Sequence, residues 1–158
     1  YAGHGSVATR LLHETWPSIE QVGVMRLQQP RIELHLLRAR TALADPAYPD
    51  RLRVARAVSD ELLKEGTTWA AGLGHFVRAA VFAWSDDGDE ALEELILADD
   101  DLAGAGMLGL LHIVRMHRGR VEGGAGGAAR AEAARDALRD LGAVDPDRVA
   151  THMVPWPV

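Results

Sequence analysis

The stretch from residue 68 to residue 119 constrains the fold more than any other part of the chain. Its apolar residues recur at spacings of three and four through three segments, which places them on one face of a helix in each segment. Asp87, followed three residues later by Glu90, is an acidic version of a capping box at the start of the second segment. Gly104 and Gly106 end that segment. The stretch therefore predicts three helices separated by two short turns.

The same pattern predicts which side chains of this stretch are buried and which are exposed. The acidic run at 99–101 is expected to be a solvated helix face. Outside the stretch, Trp16 and Trp156 lie beside prolines and are expected to seal the two ends of the molecule. The expected core residues are Trp69, Leu73, Phe76, Val77, Ala80 and Trp84 in the first helix, Leu92, Leu95, Ile96, Leu102 and Ala103 in the second, and Met107, Leu110, Leu111 and Val114 in the third.

Helical signals continue on the N-terminal side of this stretch. Three helices are expected there, over residues 4–15, 18–44 and 50–64. Ser18 and Gln21 form a capping box for the second of them. Pro30 lies inside that helix and predicts a kink or a break near residues 28–29. Gly66 closes the third helix.

The C-terminal part begins with a glycine-rich run, which predicts a flexible connector. An alanine-rich helix is expected over residues 128–141, and Asp145 is expected to cap a last short helix with Pro146 at its first position. The expected division of the chain is into helical hairpin repeats over residues 1–122, the connector over 123–127 and C-terminal capping helices over 128–158.

A repeat with a period of about 40 residues runs through the helices. Arg38, Arg78 and Arg118 are spaced 40 residues apart, and each is followed by Ala or Gly. Gly66 and Gly106 share the same spacing. Each arginine falls late in the second helix of a hairpin, and each glycine falls in the turn between its two helices. Coincidence in an Arg- and Ala-rich chain is the alternative, but turns and apolar stripes keep the same register. The fold class we predict is all-α, a tetratricopeptide-like array of α-hairpins forming a right-handed α-α superhelix.

Composition excludes several classes of function. The net charge is −6, with acids and bases interleaved, so the clustered cationic surface that nucleic acid requires is missing. The chain has no cysteine, which excludes disulfides and thiolate metal sites. No run of about 18 apolar residues or signal-peptide pattern occurs, so we expect no membrane partner and a cytoplasmic location. Because the chain begins with Tyr1, we expect it to be a piece of a larger protein.

No residue pattern in the chain indicates a reaction. His112 and His117 are five residues apart, which puts them on different sides of a helix, and we expect surface or partly packed imidazoles and no metal site. The acidic residues at 86–90 lack the ligand spacing of a calcium loop. The glycine run lacks the Lys-Ser/Thr ending of a phosphate loop, and no nucleophile elbow occurs. We therefore predict no catalytic residue and no cofactor.

One helix face is a candidate partner-binding surface. Residues Arg53, Arg56, Asp60 and Lys64 lie on the outer face of the helix expected over 50–64. In hairpin arrays the first helix of each pair commonly lines the concave surface, which would make this a peptide-binding face. A solvated face with ion pairs four residues apart is the alternative.

The C-terminal sequence PDRVATHMVP at 146–155 resembles the closing motif of large multidomain bacterial serine/threonine protein kinases. In these proteins a kinase domain is followed by an ATPase-like region and a long tetratricopeptide-like tail. Pro30 within a helix and Trp156 in place of a glycine depart from the family pattern. Further similar segments, in order, are ETWP at 14–17, RIE at 31–33, LRARTALA at 37–44, EGTTWA at 65–70 and AGAGM at 103–107.

The resemblance implies a non-catalytic protein-interaction module that regulates a kinase. Its partner would be another protein or peptide, or the kinase domain of the same chain. None of the kinase signatures is present, so no catalytic role is carried over to any residue. Alternatives are a structural segment whose hairpin edges stack on further repeats, the sensor tail of an ATPase-type transcriptional regulator, and an enzyme with an unfamiliar helical site.

Overall fold

The computed structural model describes residues 5–157, and this part of the chain is helical with no strand, which confirms the all-α class. A 3-10 turn (Val24–Arg26) lies between the first two helices. The eight α-helices are α1 (Gly5–Gln21), α2 (Gln28–Leu43), α3 (Arg51–Leu63), α4 (Thr68–Trp84), α5 (Gly88–Gly104), α6 (Leu108–Glu122), α7 (Gly124–Asp140) and α8 (Pro146–Met153).

Local capping explains why the later helices begin where the sequence predicts. The Asp87 carboxylate accepts a hydrogen bond from the backbone N–H of Glu90 at 3.4 Å, at the start of α5. Asp145 accepts one from the N–H of Arg148 at 3.0 Å, and Pro146 occupies the first turn of α8, where a missing N–H costs nothing. Both predicted caps are confirmed.

Glycines end the first helix of successive hairpins. Gly66 lies between α3 and α4, and Gly106 lies between α5 and α6. Their φ angles are 73° and 69°, in the left-handed region that residues with a Cβ avoid. The two glycines that the repeat places 40 residues apart therefore make equivalent turns.

The N-terminal helices differ from the prediction. α1 continues to Gln21 with Pro17 inside it, and residue 4 lies outside the described residues. The Trp16 indole N–H donates a hydrogen bond of 2.8 Å to the Glu20 carboxylate. These two residues lie on either side of Pro17 and are about one helical turn apart. Ser18 does not cap a new helix, because it lies within α1 and its carbonyl accepts a bond from Val22 N–H.

The break before α2 falls earlier than expected. It covers residues 22–27, where Gly23 has a φ of 74°. Pro30 lies in the first turn of α2. A backbone N–H at this position would have no intrahelical acceptor, so proline loses no hydrogen bond there. The proline therefore marks the start of a helix and does not kink one.

The glycine-rich run at 123–127 is not a flexible connector. α7 begins at Gly124, so Gly123 alone separates it from α6. A Cβ on Gly119 of α6 would collide with the carbonyl oxygen of Gly127 on α7, and a Cβ on Gly127 would collide with that of Gly119. The glycines thus allow two helix backbones to touch, and this packing orders the segment.

Equivalent positions of the repeat share the same burial. Leu36, Phe76 and Met116 all lie in the core on the second helix of a hairpin. Leu62 and Leu102 are both fully buried on first helices. Each helix packs mainly on its neighbours in the chain, and further contacts join the second helices to one another, α2 to α4 directly and α4 to α6 through aromatic rings. The face of the second helices is therefore the more closely packed one.

The buried face of α5 is rotated about the helix axis relative to the predicted one. Ile96 and Ala103 are exposed, whereas Ala91 and Ala98 are fully buried together with the expected Leu95. Gly72 of α4 lets α4 and α5 approach closely, since a Cβ there would overlap Leu102. Burial on α5 thus follows the need for close contact more than side-chain hydrophobicity.

Candidate binding groove

The candidate partner-binding residues Arg53, Arg56, Asp60 and Lys64 lie along α3 and are called the α3 stripe here. The first and the last of them form ion pairs with nearby residues of the chain. Arg53 Nε lies 3.0 Å from Asp50 Oδ1, and Lys64 Nζ lies 3.0 Å from Glu61 Oε1. Both pairs are exposed and three residues apart on one helix, so each contributes little to stability. These two cations are accessible on the surface of α3.

The middle of the stripe packs against α4. The Asp60 carboxylate accepts a hydrogen bond of 2.7 Å from Arg78 on α4, and the Arg56 guanidinium lies 5.7 Å from the centre of the Phe82 ring. The structure therefore places the four residues along one line of α3 but engages Asp60 and Arg56 in contacts between helices.

Two of the repeat arginines, Arg78 and Arg118, join neighbouring helices through ion pairs. Arg78 lies 2.7 Å from Asp60 on α3 and 3.6 Å from Glu94 on α5. One repeat later, Arg118 lies 3.2 Å from Asp99 on α5. Arg78 and Arg118 thus each bind a carboxylate on the helix that precedes their own, whereas Arg38 lies over an aromatic ring of α1.

Asp99 is buried, against the expectation of a solvated acidic face. Only 7% of its side chain is exposed, and its two oxygens accept hydrogen bonds from Arg115 at 2.9 Å and Arg118 at 3.2 Å. Asp100 is exposed, as expected, and Asp101 is partly buried. The run contains one structural carboxylate, because a cationic pair on α6 compensates its burial.

His117 is also buried, although surface or partial packing was expected. Its ring is fully inaccessible, and neither ring nitrogen has a hydrogen-bond partner of good geometry. Burial lowers its pKa to about 3, so the ring is neutral. Trp156 stacks on it with ring centroids 4.5 Å apart. The imidazole acts as a flat core side chain between α4, α6 and the C-terminal segment.

The C-terminal segment lies across the second helices. The Trp84 indole N–H on α4 donates to the carbonyl of Pro155 at 3.1 Å, and Arg40 Nε on α2 donates to the carbonyl of His152 at 3.1 Å. α8 is therefore held beside α2, although the two bonded residues are 112 positions apart in the sequence.

α1 packs less completely than the other long helices. It has no fully buried residue among its 17. Its attachment to α2 includes a backbone approach of Gly5 to the carbonyl of Ala44 and a hydrogen bond of 2.9 Å from the Thr9 hydroxyl to the carbonyl of Thr41. An incompletely packed helix leaves space on both of its flanks.

The larger space is a groove of about 810 Å³ between α1, α2 and α8, which we call the α1/α8 groove. Val7 and Leu11 line it from α1 and are 49% and 59% exposed. Leu37 lines it from α2 and is 38% exposed. These apolar side chains face an opening that residues 5–157 do not fill.

The charges around the α1/α8 groove have one sign. Two arginines, Arg40 and Arg148, line it together with His152, whose pKa is lowered by burial, and none of the described residues that line it is Asp or Glu. In a chain with 23 acidic residues against 17 Lys and Arg, this local excess of cationic groups departs from the average surface. The groove is apolar with a cationic margin.

A second cavity of about 480 Å³ on the other flank of α1 is lined by both acidic and basic side chains. The Arg38 guanidinium lies 4.8 Å from the centre of the Trp16 ring, and Asp45, which is nearly inaccessible, accepts a bond from Ala47 N–H. His13 and Glu14 also line it. Its acids and bases offset one another, so it favours no charge class of ligand.

Sequence reasoning missed the α1/α8 groove, because α1 and α8 lie at opposite ends of the chain. The available signal was local: Val7 and Leu11, one turn apart, predict an apolar stripe on the first helix, but not that this stripe stays uncovered.

Comparison with known proteins adds no further site. No protein-family model, no curated protein and no solved structure matches the chain. Within residues 5–157, no group of three or more His, Asp or Glu side chains is placed to hold a metal ion. No helix in this part of the chain has the length and hydropathy to cross a membrane. The α1/α8 groove and the α3 stripe are the candidate surfaces.

Proposed function

We propose that this chain is a non-catalytic protein-interaction module, a tetratricopeptide-like helical array that binds a segment of a protein partner in the α1/α8 groove. The observation that carries the proposal is the groove itself, with Val7, Leu11 and Leu37 exposed in one concave opening. Exposed apolar side chains gathered in a concavity are typical of interaction sites, whereas scattered ones are ordinary surface.

The resemblance to kinase tails supports a regulatory role. In this proposal the chain is the C-terminal tail of a cytoplasmic serine/threonine kinase, arranged as a right-handed superhelix with a period of about 40 residues. The partner is the kinase domain of the same protein or a separate protein. The α3 stripe of Arg53, Arg56, Asp60 and Lys64 is a secondary contact surface, with Arg53 and Lys64 its accessible cations.

Site-specific photo-crosslinking tests the interaction. A benzophenone amino acid replaces Leu11 in the groove in one variant and Leu108 in a control, since Leu108 is similarly exposed but lies at the start of α6 outside the groove. Both variants are expressed within the full gene product in its own cells. We expect adducts with one defined protein segment from position 11 alone. Identical adduct patterns from both positions would contradict a groove-specific function.

The kinase connection has a separate test. The coding sequence around this chain is expected to contain a kinase domain with its glycine-rich loop and catalytic Asp. Deletion of the chain is expected to change the phosphorylation rate of that kinase. A DNA-binding or lone ATPase domain in that position would contradict the kinase tail and leave the interaction module in place.

A further inference from the structure

We infer that the α1/α8 groove receives an amphipathic α-helix from the partner, with an apolar stripe flanked by Asp and Glu. This inference rests on the proposed function and specifies its partner by chemistry. Three observations on the groove carry it: the apolar side chains on its floor, the helices that form its walls, and the sign of the charge at its margin.

The apolar floor has room for several side chains of a ligand. Its volume of about 810 Å³ lies within the roughly 300–1,000 Å³ of typical ligand sites. Val7 and Leu11 are one turn apart on α1, and Leu37 contributes from α2. Burying three half-exposed aliphatic side chains removes apolar surface from water, which favours a ligand that is itself apolar on one face.

The walls of the groove favour a helical ligand. α1, α2 and α8 all contribute to it, and the hydrogen-bonding groups of a helix backbone are used within the helix. A strand added to a sheet edge needs a free edge, and residues 5–157 contain no strand. A fourth helix can instead pack its side chains between those of the walls, with apolar residues at positions i, i+3 or i+4, and i+7.

The margin of the groove specifies the charge of that helix. Arg40 is held at the groove by its bond to the carbonyl of His152, so its guanidinium is positioned without the ligand. Arg148, on α8, also lines the groove. Carboxylates on the two flanks of a ligand helix complement this margin, whereas lysines would meet like charge. The net charge of −6 on the whole chain makes the margin locally distinctive.

Designed peptides test the inference with the whole chain in solution. One probe is a helix-forming peptide with Leu at positions 1, 4, 8 and 11 and Glu on the flanks, labelled for fluorescence anisotropy. A second has Lys in place of every Glu, and a third has the Glu peptide's composition in scrambled order. We expect the Glu peptide to bind at least about tenfold more tightly than either control, and to weaken about tenfold between 0.1 and 1 M salt.

Matched variants locate the binding. Leu11→Glu and Leu37→Glu each place a carboxylate in the groove and are expected to weaken the Glu peptide by about tenfold or more. Leu108→Glu, a similarly exposed position outside the groove, is expected to leave binding unchanged. Because all three sites are on the surface, the thermal unfolding midpoints should stay within a few degrees of the parent, so lost binding is not lost folding.

The outcomes separate the inference from the proposed function. Equal or tighter binding of the Lys peptide, or of the scrambled peptide, overturns the acidic amphipathic helix but leaves the interaction module, provided the groove crosslinks a partner. Failure of the Glu peptide to bind likewise overturns the acidic amphipathic helix and leaves the interaction module, provided the groove crosslinks a partner. Failure of every peptide together with no groove-specific crosslink overturns both.

Discussion

Trp156 stacks on His117 with ring centroids 4.5 Å apart and an interplanar angle of 28°, which makes a residue near the C-terminus part of the core. Phe76 extends the stack from α4, 6.3 Å from Trp156 and 5.6 Å from His117. Three aromatic rings from α4, α6 and the C-terminal segment therefore form one unit. The C-terminal segment belongs to the folded domain and is not an appendage.

Removal of Trp156 is expected to destabilise the whole domain. Trp156→Ala loses the stack on His117 and Phe76, and because the indole is only partly buried we expect a loss of about 2–3 kcal/mol in the free energy of unfolding. Urea denaturation monitored by circular dichroism measures it. Trp16→Ala is the matched control, since Trp16 lines a surface cavity, and should cost about 1 kcal/mol or less. Equal losses in the two variants would contradict this role for Trp156.

Acidification is expected to destabilise the protein through His117. Burial and, to a smaller extent, Arg120 lower the pKa of this imidazole to about 3, although the backbone of Ala150 and the Asp147 carboxylate act in the opposite direction. The unfolded chain takes up this proton below about pH 6.5 and the folded chain does not. Stability from His117 is therefore complete above pH 6.5 and falls by roughly 1.4 kcal/mol per pH unit below it, or about 2 kcal/mol between pH 7 and pH 5.

A set of variants isolates this contribution. His117→Leu should flatten the pH dependence of the urea midpoint between pH 7 and pH 5, while His13→Gln, at an exposed position, should not. Burial also lowers the pKa of His35, His112 and His152, so a residual slope of the same sign is expected in the Leu variant. Unchanged slopes in His117→Leu would show that the ring is hydrated in the native state.

The sequence predicts features that depend on neighbouring residues in the chain. The Asp87 and Asp145 caps and the turn glycines Gly66 and Gly106 are correct, because a cap or a left-handed turn is determined within four residues. The 40-residue register that the sequence predicts rests on signals of the same local kind. These features were sufficient to establish the all-α class, but not the bounds of α1, α2 and α7.

Features that depend on distant residues were not predictable in this way. Asp99 looks solvated until Arg115 and Arg118 are placed opposite it. The glycine run looks flexible until Gly119 and Gly127 are seen to touch. The α1/α8 groove requires the two ends of the chain to meet. In each case a tertiary contact overrides a local preference, and a single sequence does not contain the position of the other partner.

Neutralising Asp99 is expected to be costly, in contrast to its neighbour. Asp99→Asn leaves the guanidinium groups of Arg115 and Arg118 without their buried carboxylate, and because both arginines are partly exposed we expect a loss of about 2–3 kcal/mol. Asp100→Asn makes the same chemical change at the next, exposed residue and should alter stability by about 0.5 kcal/mol or less. Urea denaturation at pH 7 compares them. Similar small effects would indicate that water replaces the buried ion pair.

Alanine substitutions at glycines are expected to have opposite signs according to their neighbours. Gly119→Ala places a Cβ against the backbone of Gly127 and Ala131, which cannot move aside like a side chain, so α6 and α7 must separate. We expect a loss of about 2–3 kcal/mol or more, although Ala is the better helix former. Gly126→Ala has open space around its Cβ and should stabilise the protein by up to about 1 kcal/mol. The thermal midpoints of the two variants should therefore fall on opposite sides of the parent. A rise in both would mean that α7 does not pack on α6 at backbone contact, and that residues 123–127 form the connector that their composition suggests.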